Sequence, residues 1–588
     1  MYSGIGNGIQ LVLSLARQSK THLAGWWSRR SQPQSSPCGI GKVRPARAAE
    51  CSSRFASSSV HVAAFMAPIL HGSRCLAQVW LQFGYTSQPR NKGEIILLAL
   101  RRKGVMIKDV IVIGAGVGGL GVALRLAHRG HRVTILEKNS DIGGRNRREQ
   151  VGNCQFDGGP TLLLMLDPFR KLFADVGEDF DTLVPCKLCN PSYRVFFADG
   201  TQVEGTTDRT RMVENIRRMS GDKDADAYPA FMDELANLYE MVIPNFVRNE
   251  FRSIKDIASP KQLGRVLKHH MLANLAKRLE TKFDDPRLQM MFSFQTMYLG
   301  LSPYNAPWLY ATLAYMEYGE GIFYPKGGLG AISDAIADLA VKRGATIRLN
   351  SNVTSINGST VTLSNGETLS ADIVIANPDM PYAQRELIKK PSKRNLRYSC
   401  SAQLLYIDYE GMLDGYEHHN VIFGGDFKSN LESISTDPQM PNDPAFYLCN
   451  SSKTDPSLAP EGHSNLFLLI PVPNLEFKRT SEMDQRLESE VFDRLEKIGG
   501  FDRTKIKAIK RRGPAEWESE LNLDRGAAFG IGHDLFQSAF MRPGLRSKDN
   551  SKLYFVGAST LPGNGLPMVL ISGELVEQRL IADGAIPA

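Results

Sequence analysis

The chain has 588 residues, of which 70 are Lys or Arg and 62 are Asp or Glu, giving a formal net charge of +8. That excess lies in residues 1–108, which carry 15 basic and only two acidic side chains, whereas the remainder carries 55 basic and 60 acidic ones. Because the body is mildly acidic, composition gives no indication of a nucleic-acid partner. A chain of this length predicts two or more domains, with a core large enough to need no disulfides.

The first segment, residues 1–105, is rich in Ser, Arg, Ala and Gln and shows no sustained hydrophobic period. This composition is typical of an organelle transit segment. Met106 is also a natural start for the following domain, so a late addition or a mistaken gene model stays open as an alternative. No apolar run approaches the roughly 18 residues of a membrane-spanning helix.

A glycine-rich turn follows the first strong strand pattern. Residues 110–113 are apolar and β-branched, which predicts a buried parallel strand. Gly114, Gly116 and Gly119 then form a G-x-G-x-x-G turn into a helix over 120–129. In that turn the first glycine permits the tight bend, the second lets the backbone approach a pyrophosphate, and the third lets helix and strand pack closely.

The residues after this helix indicate which dinucleotide is bound. A second strand ends at Glu137, 23 positions after Gly114, where a carboxylate accepts hydrogen bonds from a ribose diol. Lys138 adjoins it, and Gly143, Gly144 and Arg145 follow. Gly-Gly-Arg at this distance resembles the second signature of flavoproteins of the amine oxidase and carotenoid desaturase superfamily. The resemblance implies FAD, with the two glycine amides and the arginine approaching its pyrophosphate and ribityl chain.

The middle of the chain alternates between strand and helix patterns. Residues 193–204 predict a hairpin with Asp-Gly in the turn, and residues 208–320 are predicted to be mostly helical. Within them, 261–282 has the spacing of a basic amphipathic helix. Two interpretations stay open for it: a helix lying in a membrane interface, or a core-facing helix with a solvated basic face.

Two later stretches return to strand and helix patterns typical of the nucleotide domain. In residues 320–380, a Gly-Gly turn leads into a helix over 331–342, followed by a strand, a hairpin and a buried strand. Near the C-terminus, Gly557 and Ala558 end another strand. Gly565 then precedes a helix of small residues that begins near Met568, and such a helix start suits a flavin ribityl chain or pyrimidine carbonyl.

At this point the resemblance to one family becomes specific. The chain is similar to bacterial-type phytoene desaturases and diapophytoene desaturases over residues 108–582. The motifs that carry the resemblance are Gly143-Gly-Arg145, Phe156-Asp-Gly-Gly-Pro-Thr161, Ser302-Pro-Tyr-Asn305, Tyr324-Pro-Lys-Gly-Gly328, Gln537-Ser538 and Val556-Gly-Ala-Ser-Thr560. The family usually has Thr-His-Pro-Gly in its last motif, whereas this chain has Leu561 in place of the histidine. That departure leaves the reaction open, though not FAD binding.

The resemblance implies an α/β fold: a Rossmann-type FAD-binding domain built from discontinuous segments, with an α+β substrate domain that has a membrane-facing helical part. It also implies that Val353 packs its backbone against adenine. The expected segments are 1–105 (leader), 106–180, 320–384 and 541–588 (FAD-binding), and 181–319 and 385–540 (substrate domain). Plastid delivery with peripheral membrane association is expected if the leader is genuine, and a membrane-associated cytoplasmic protein otherwise.

The implied reaction is oxidation of a phytoene-like polyene, with quinone or oxygen as the electron acceptor. Such a substrate has no polar handle, so an apolar tunnel must bind it. Aromatic and apolar residues between 292 and 315 are candidates for its lining or for ordinary core. We predict no metal site, because the cofactor carries the chemistry. Asp256 and His533 are the candidate general bases, with a surface salt bridge as the alternative for Asp256.

Rival functions are also open. A carotenoid end-group oxygenase or cis–trans isomerase would share these motifs. An amine oxidase is disfavoured because the last cysteine is Cys449, which leaves no thiol near the C-terminal motif for a covalent flavin link. A non-catalytic prenyl-binding protein is disfavoured because the nucleotide fingerprint is intact. The solitary C-x-x-C at Cys186 and Cys189 predicts a strand end with reduced thiols rather than a metal or redox site.

Overall fold

A computed structural model describes residues 106–392, 394–435 and 437–588. The prediction of a leader over residues 1–105 lies outside these. The strands in chain order are β1 Asp109–Ile113, β2 Arg132–Leu136, β3 Arg148–Val151, β4 Cys154–Asp157, β5 Cys186–Leu188, β6 Tyr193–Phe196, β7 Gln202–Gly205, β8 Phe323–Pro325, β9 Thr346–Arg348, β10 Val353–Asn357, β11 Thr360–Leu363, β12 Thr368–Ser370, β13 Ile373–Ala376, β14 Ser401–Glu410, β15 His419–Ile422, β16 Phe446–Asn450, β17 His463–Val472, β18 Ile506–Arg512 and β19 Leu553–Phe555.

The α-helices are α1 Val117–His128, α2 Asp167–Asp175, α3 Phe180–Leu183, α4 Arg209–Ser220, α5 Asp222–Val242, α6 Ile254–Ile257, α7 Pro260–Lys268, α8 Leu275–Glu280, α9 Pro286–Met291, α10 Thr312–Tyr315, α11 Gly330–Lys342, α12 Met380–Tyr382, α13 Phe427–Ser435, α14 Ser481–Ile498, α15 Pro514–Leu521 and α16 Leu566–Ala582. Short π-helical turns extend three of these, at Ile243–Val247, Met316–Glu320 and Ala383–Leu387.

A parallel sheet in the order β19-β13-β1-β2-β9 forms the nucleotide half. All four residues of β13 are buried, and Val112 of β1 lies between Ile135 and Ile375. These continuous apolar runs form strands because both faces of the sheet are covered, one by helices and the other by β10 and β11, which leaves no strand face for water. Helices α11 and α16 pack on α1. The sheet draws its strands from three separated parts of the chain, although the exact domain boundaries stay predictions.

A mixed sheet of seven strands, in the order β18-β14-β17-β16-β15-β6-β7, forms the second half. Its neighbours are antiparallel except for β15 and β6. The predicted hairpin is confirmed as β6 and β7, and Gly200 in its turn has a φ of 85°. The nucleotide half and this sheet together match the predicted combination of a Rossmann-type unit with an α+β unit.

Helices between β7 and β8 complete the second half. The prediction that 208–320 is mostly helical is confirmed, and in α5 the regularly spaced Phe231, Leu235 and Leu238 are all buried. Phe231 packs against Phe292 with ring centroids 5.1 Å apart, and Trp308 is also fully buried. Of the aromatic and apolar candidates between 292 and 315, Phe292 and Trp308 are therefore core, whereas Phe294, Met297, Tyr298, Leu299 and Tyr310 line the cavity.

The prediction of one continuous helix over 261–282 is wrong. Helix α7 ends at Lys268, and His270 has a positive φ of 51°. The helix stops because tertiary backbone bonds take over: Leu309 N donates to the carbonyl of Met271, and Trp308 N donates to that of Ala273. After the break, the leucines of α8 are buried, whereas α7 contains no buried residue. The core-facing interpretation therefore holds for α8, whereas the membrane-interface interpretation of α7 stays a prediction.

A search of the described helices for a segment both long enough and apolar enough to cross a bilayer finds none.

Candidate active site

One continuous cavity of about 610 Å³ joins the two halves of the fold. Part of its wall is the glycine-rich turn after β1 together with the start of α16. Another part is apolar and comes from the helical region and the seven-stranded sheet. This apolar wall includes Phe246, Phe294, Met297, Leu309, Leu404, Val421 and Phe423. A polar nucleotide-type loop and an oily chamber therefore share one space.

Each of the three positions in the turn requires glycine for a different steric reason. Gly114 has a φ of 92°, and a Cβ on Gly119 would lie 2.2 Å from the carbonyl oxygen of Gly114. A Cβ on Gly116 would lie 2.8 Å from Nδ2 of Asn377. Gly114 and Gly116 line the cavity, whereas Gly119 lets α1 pack against the turn. Helix α1 starts without a capping side chain and without an acid in its first turn, which suits a bound phosphate.

Glu137 directly follows β2, lies at the cavity wall and is 5% exposed. Its carboxylate accepts hydrogen bonds from Ala115 N at 2.7 Å and Asn139 N at 2.9 Å. This fixes the carboxylate beside the glycine turn, where further lone pairs can accept from hydroxyl groups. Lys138 also lines the cavity, but its ammonium donates to Asn522 Oδ1 at 2.9 Å.

The Gly-Gly-Arg signature forms the adjoining wall. Gly143 and Gly144 both have positive φ, at 97° and 59°, and Gly143 bridges to Gly116. Arg145 is held by an ion pair of 2.8 Å with Asp379 and by a bond to the carbonyl of Ala528. The arginine is thus oriented before any ligand arrives.

The later segments supply the rest of the polar wall. Val353 at the start of β10 is buried and lines the cavity. Gly557, Ala558, Gly565 and Met568 also line it, and α16 begins directly after Gly565. Together with the glycine turn and Glu137, these residues fit a dinucleotide: a helix start suits its phosphates and a carboxylate suits its ribose.

Two wall-forming residues, and a buried arginine that holds the C-terminal motif, were not predicted from the sequence. Asn377 and Asp379 follow β13, and the position directly after a buried parallel strand was the signal available for them. Arg542 is 3% exposed and donates to the carbonyls of Ala558 and Thr560 at 2.7 and 2.9 Å. Burial lowers the pKa of Arg542 to about 10. These residues hold the C-terminal motif and the turn in place.

The two candidate bases differ in position. His533 lines the cavity; its Nδ1 donates to the carbonyl of Leu299 at 3.3 Å, and its Nε2 accepts from Asn564 N at 3.4 Å. Burial holds the pKa of His533 well below its usual range, so the imidazole is neutral. Leu561 lines the same cavity, so this wall keeps one imidazole, from His533, although position 561 supplies none.

Asp256 is not among the cavity-lining residues. It is exposed and completes a capping box with Ser253 at the start of α6, accepting from the backbone amides of Arg252 and Ser253 at 2.8 and 2.9 Å. These bonds lower the pKa of Asp256. The structure therefore gives this carboxylate a helix-capping role, in place of either the catalytic role or the salt bridge considered from sequence.

The two cysteines of the C-x-x-C contact different residues. Cys186 lies in β5 and donates to the carbonyl of Val184, whereas Cys189 lies 3.8 Å from Nδ1 of His418. The strand-end prediction is confirmed, and the described cysteines are free thiols. Cys189, His418 and His419 bring ligand-type atoms within 4.8 Å of one another. Sequence spacing missed this cluster because Cys189 lies 229 positions from His418.

Comparisons with known proteins agree with this geometry. The family model for flavin containing amine oxidoreductases matches residues 117–581. The chain is 36% identical to a zeta-carotene-forming phytoene desaturase from Myxococcus xanthus, over 81% of this chain and 94% of the relative. It is 30% identical to a 4,4'-diapophytoene desaturase from Staphylococcus haemolyticus, over 81% and 99%.

Among solved structures, cyclohexylamine oxidase from Brevibacterium oxydans matches with a TM-score of 0.52 and 18% identity, covering 80% of this chain and 98% of that one. At this identity the likeness concerns the fold alone. The family to which the chain belongs is shown by the family match and by the desaturase relatives. The chain belongs to the flavin containing amine oxidoreductases and is a flavin-dependent oxidoreductase related to the carotenoid desaturases.

Proposed function

We propose that this protein is an FAD-dependent carotenoid desaturase that removes a hydride and a proton across a saturated C–C bond of phytoene or a related polyene. The observation that carries the proposal is the continuity of the nucleotide-type loop with an apolar chamber in one cavity. A polyene needs only apolar surface, which contributes about 2.5 kcal/mol per 100 Å² buried.

FAD, when bound, supplies the acceptor for the hydride. The side chains and backbone described above would hold it. Glu137 would accept from the ribose, the amides after Gly116 would face the pyrophosphate, and Val353 would meet the adenine. Gly557 and the start of α16 would then lie beside the flavin ring. Quinone or oxygen would reoxidise the flavin.

We also propose that α7 and the turn after it bind a membrane surface peripherally. Leu263, Leu267 and Leu272 are 44%, 67% and 60% exposed. Basic side chains accompany them on the same stretch, at Lys261, Arg265, Lys268 and His270. Exposed leucines beside basic residues suit the interface of an anionic bilayer, where apolar side chains insert and cations meet headgroups.

This surface is connected to the cavity wall. Gln262 of α7 donates to the carbonyl of Asn245 at 3.1 Å, within the π-helical turn Ile243–Val247. Phe246, Val247 and Phe251 of that region line the cavity. A polyene dissolved in a bilayer would therefore meet the apolar wall next to the proposed membrane surface. Plastid delivery stays a separate proposal, tested by imaging a fusion of residues 1–105 to a fluorescent protein.

Expression from Met106 in bacteria that accumulate phytoene is expected to give coloured products with stepwise red-shifted absorption. The reason is that each new double bond lengthens the conjugated system. Pigment chromatography with mass analysis makes the measurement, and the purified protein is expected to be yellow with a flavin spectrum.

Other products would identify the rival activities. Added oxygen mass would indicate an end-group oxygenase, and geometric isomers without new double bonds would indicate an isomerase. Unchanged phytoene beside soluble, flavin-loaded protein would contradict desaturation. Expression with a C30 analogue in a parallel strain decides between phytoene and diapophytoene as the preferred substrate.

A further inference from the structure

A buried carboxylate lies behind the cavity wall. Glu317 is 0% exposed and belongs to the π-helical turn Met316–Glu320, a type of helix irregularity that is frequent at functional sites. Its Oε1 accepts from the hydroxyl of Tyr193 at 2.8 Å, and its Oε2 accepts from Nε2 of Gln295 at 2.9 Å. Since burying a charge is costly, a carboxylate held by neutral donors alone suggests a purpose beyond stability.

A second tyrosine connects this carboxylate to the cavity. The hydroxyl of Tyr298 lies 2.9 Å from that of Tyr193, and Tyr298 is half-buried and lines the cavity. Because Tyr193 gives its proton to Glu317, Tyr298 must be the donor in the bond between the two phenols. The lone pairs of the Tyr298 oxygen are then left to accept a proton.

The tyrosine lies at the flavin end of the cavity. Its backbone carbonyl accepts from Nδ2 of Asn564 at 2.8 Å. The next carbonyl, that of Leu299, accepts from Nδ1 of His533. Asn564 lies between Gly563 and Gly565, in the motif that precedes α16. The phenol chain is therefore fixed to the segment assigned to the flavin ring.

We propose that Tyr298 and Tyr193 relay the substrate proton to Glu317. The inference rests on the proposed desaturation, in which the hydride and its two electrons go to the flavin. At the neighbouring carbon a C–H bond breaks, and its electron pair becomes the second bond of the new C=C. The released proton bonds to the oxygen of Tyr298 as the proton of Tyr298 passes to Tyr193 and that of Tyr193 passes to Oε1 of Glu317. One carboxylate becomes one carboxylic acid, and both phenols end neutral.

The electrostatic surroundings suit this role. Burial raises the pKa of Glu317 to about 7, although the hydrogen bonds from Gln295 and Tyr193 oppose the rise. The titratable groups that face it are Tyr193, Tyr298 and Tyr318, whose pKa values burial holds well above 10. Near neutral pH the carboxylate can therefore both take a proton and release it, while its neighbours stay uncharged.

The two imidazoles near the cavity, those of His533 and His419, are less suited than Glu317 to accept the substrate proton. Both ring nitrogens of His533 are occupied, and its pKa is far below neutrality. A second chain runs from Thr161 through Tyr447 to Nδ1 of His419, but burial and the adjacent His418 hold the pKa of His419 well below its usual range. Neither imidazole offers the negative charge that a cationic polyene intermediate would favour.

The test measures the rate of anaerobic flavin reduction by phytoene across pH in the full, flavin-loaded protein. The wild-type rate is expected to rise through an inflection near pH 7. E317Q should be roughly a hundredfold slower and lose the inflection. E317D should restore part of the rate and part of the pH inflection. Y298F should slow the reaction similarly with unchanged flavin content, and E320Q, three residues away in the same turn, serves as the matched control with wild-type behaviour.

A second readout does not depend on turnover. Because the pKa of Glu317 is raised in the folded state, its contribution to stability is present below the unfolded pKa of about 4.5 and is lost as pH rises to about 7. The melting temperature of the wild type minus that of E317Q should therefore fall between about pH 4.5 and about pH 7. A wild-type pH profile in E317Q, or a melting difference independent of pH, would overturn the relay. A wild type that forms no new double bond would instead overturn the proposed function and the relay with it.

Discussion

Replacing Gly116 with valine is expected to give a folded, colourless protein. The first atom of the new side chain would lie 2.8 Å from Nδ2 of Asn377, in the space between the turn and the end of β13. The branched methyl groups would then occupy the approach to the amides at the start of α1. Losing two hydrogen bonds to a charged phosphate costs about 3 kcal/mol or more, so FAD should bind over a hundredfold more weakly.

The measurement is the ratio of flavin to protein absorbance after purification, followed by titration with FAD. Gly544→Val is the matched control, because Gly544 is exposed and a Cβ there meets nothing within 4 Å. Gly119→Ala offers a contrast: its Cβ would lie 2.2 Å from the carbonyl oxygen of Gly114, so it should disturb the packing of α1 itself. A yellow Gly116→Val protein with wild-type affinity would contradict the assignment of this turn.

The nucleotide site could be predicted because its signals are local. Gly114, Gly116 and Glu137 lie within one βαβ unit, whose turn chemistry and strand pattern agree with each other. The observed β1, α1 and β2 differ from the predicted bounds by only a few residues. Where the local pattern and the tertiary structure require the same conformation, that conformation can be predicted from the sequence alone.

The remaining features depend on contacts between distant segments. Arg145 pairs with Asp379, 234 positions away, and Tyr193 donates to Glu317, 124 positions away. Neither partner carries a spacing signal. The broken helix over 261–282 has the same cause. The carbonyl of Met271 accepts a hydrogen bond from Leu309 N, a residue distant in sequence. Periodicity therefore predicts a continuous helix across a point where tertiary hydrogen bonds end it. In general, sequence analysis missed the residues whose role depends on a hydrogen bond or ion pair with a residue distant in sequence.

The division of the 261–282 stretch also explains why one sequence pattern suggested two functions. Its second part serves the core, as Leu275 and Leu279 are fully buried. Its first part leaves Leu267 and Leu272 largely in solvent, although burying a leucine contributes about 1.5–3 kcal/mol. Large exposed apolar side chains beside basic ones are typical of an interaction surface, which is what the proposed membrane contact of α7 requires.

The double substitution Leu267→Glu with Leu272→Glu is expected to release the protein from membranes. Each leucine that inserts into the interface contributes up to about 2 kcal/mol, so the pair should change vesicle affinity by several hundredfold. The new negative charges would add repulsion from anionic lipid. Sedimentation with vesicles of mixed neutral and anionic lipid, at low and high salt, measures the effect.

The matched control is Leu188→Glu with Met412→Glu, which changes two side chains that are 45% and 59% exposed outside this surface. Both double variants should keep their flavin, because none of the four positions lines the cavity. Only the first should lose vesicle binding, and with it the desaturation of phytoene presented in a bilayer, while retaining turnover of phytoene in detergent. Equal loss of binding in both variants would mean that the contact is general hydrophobic adsorption, and the proposed membrane surface on α7 would then be wrong.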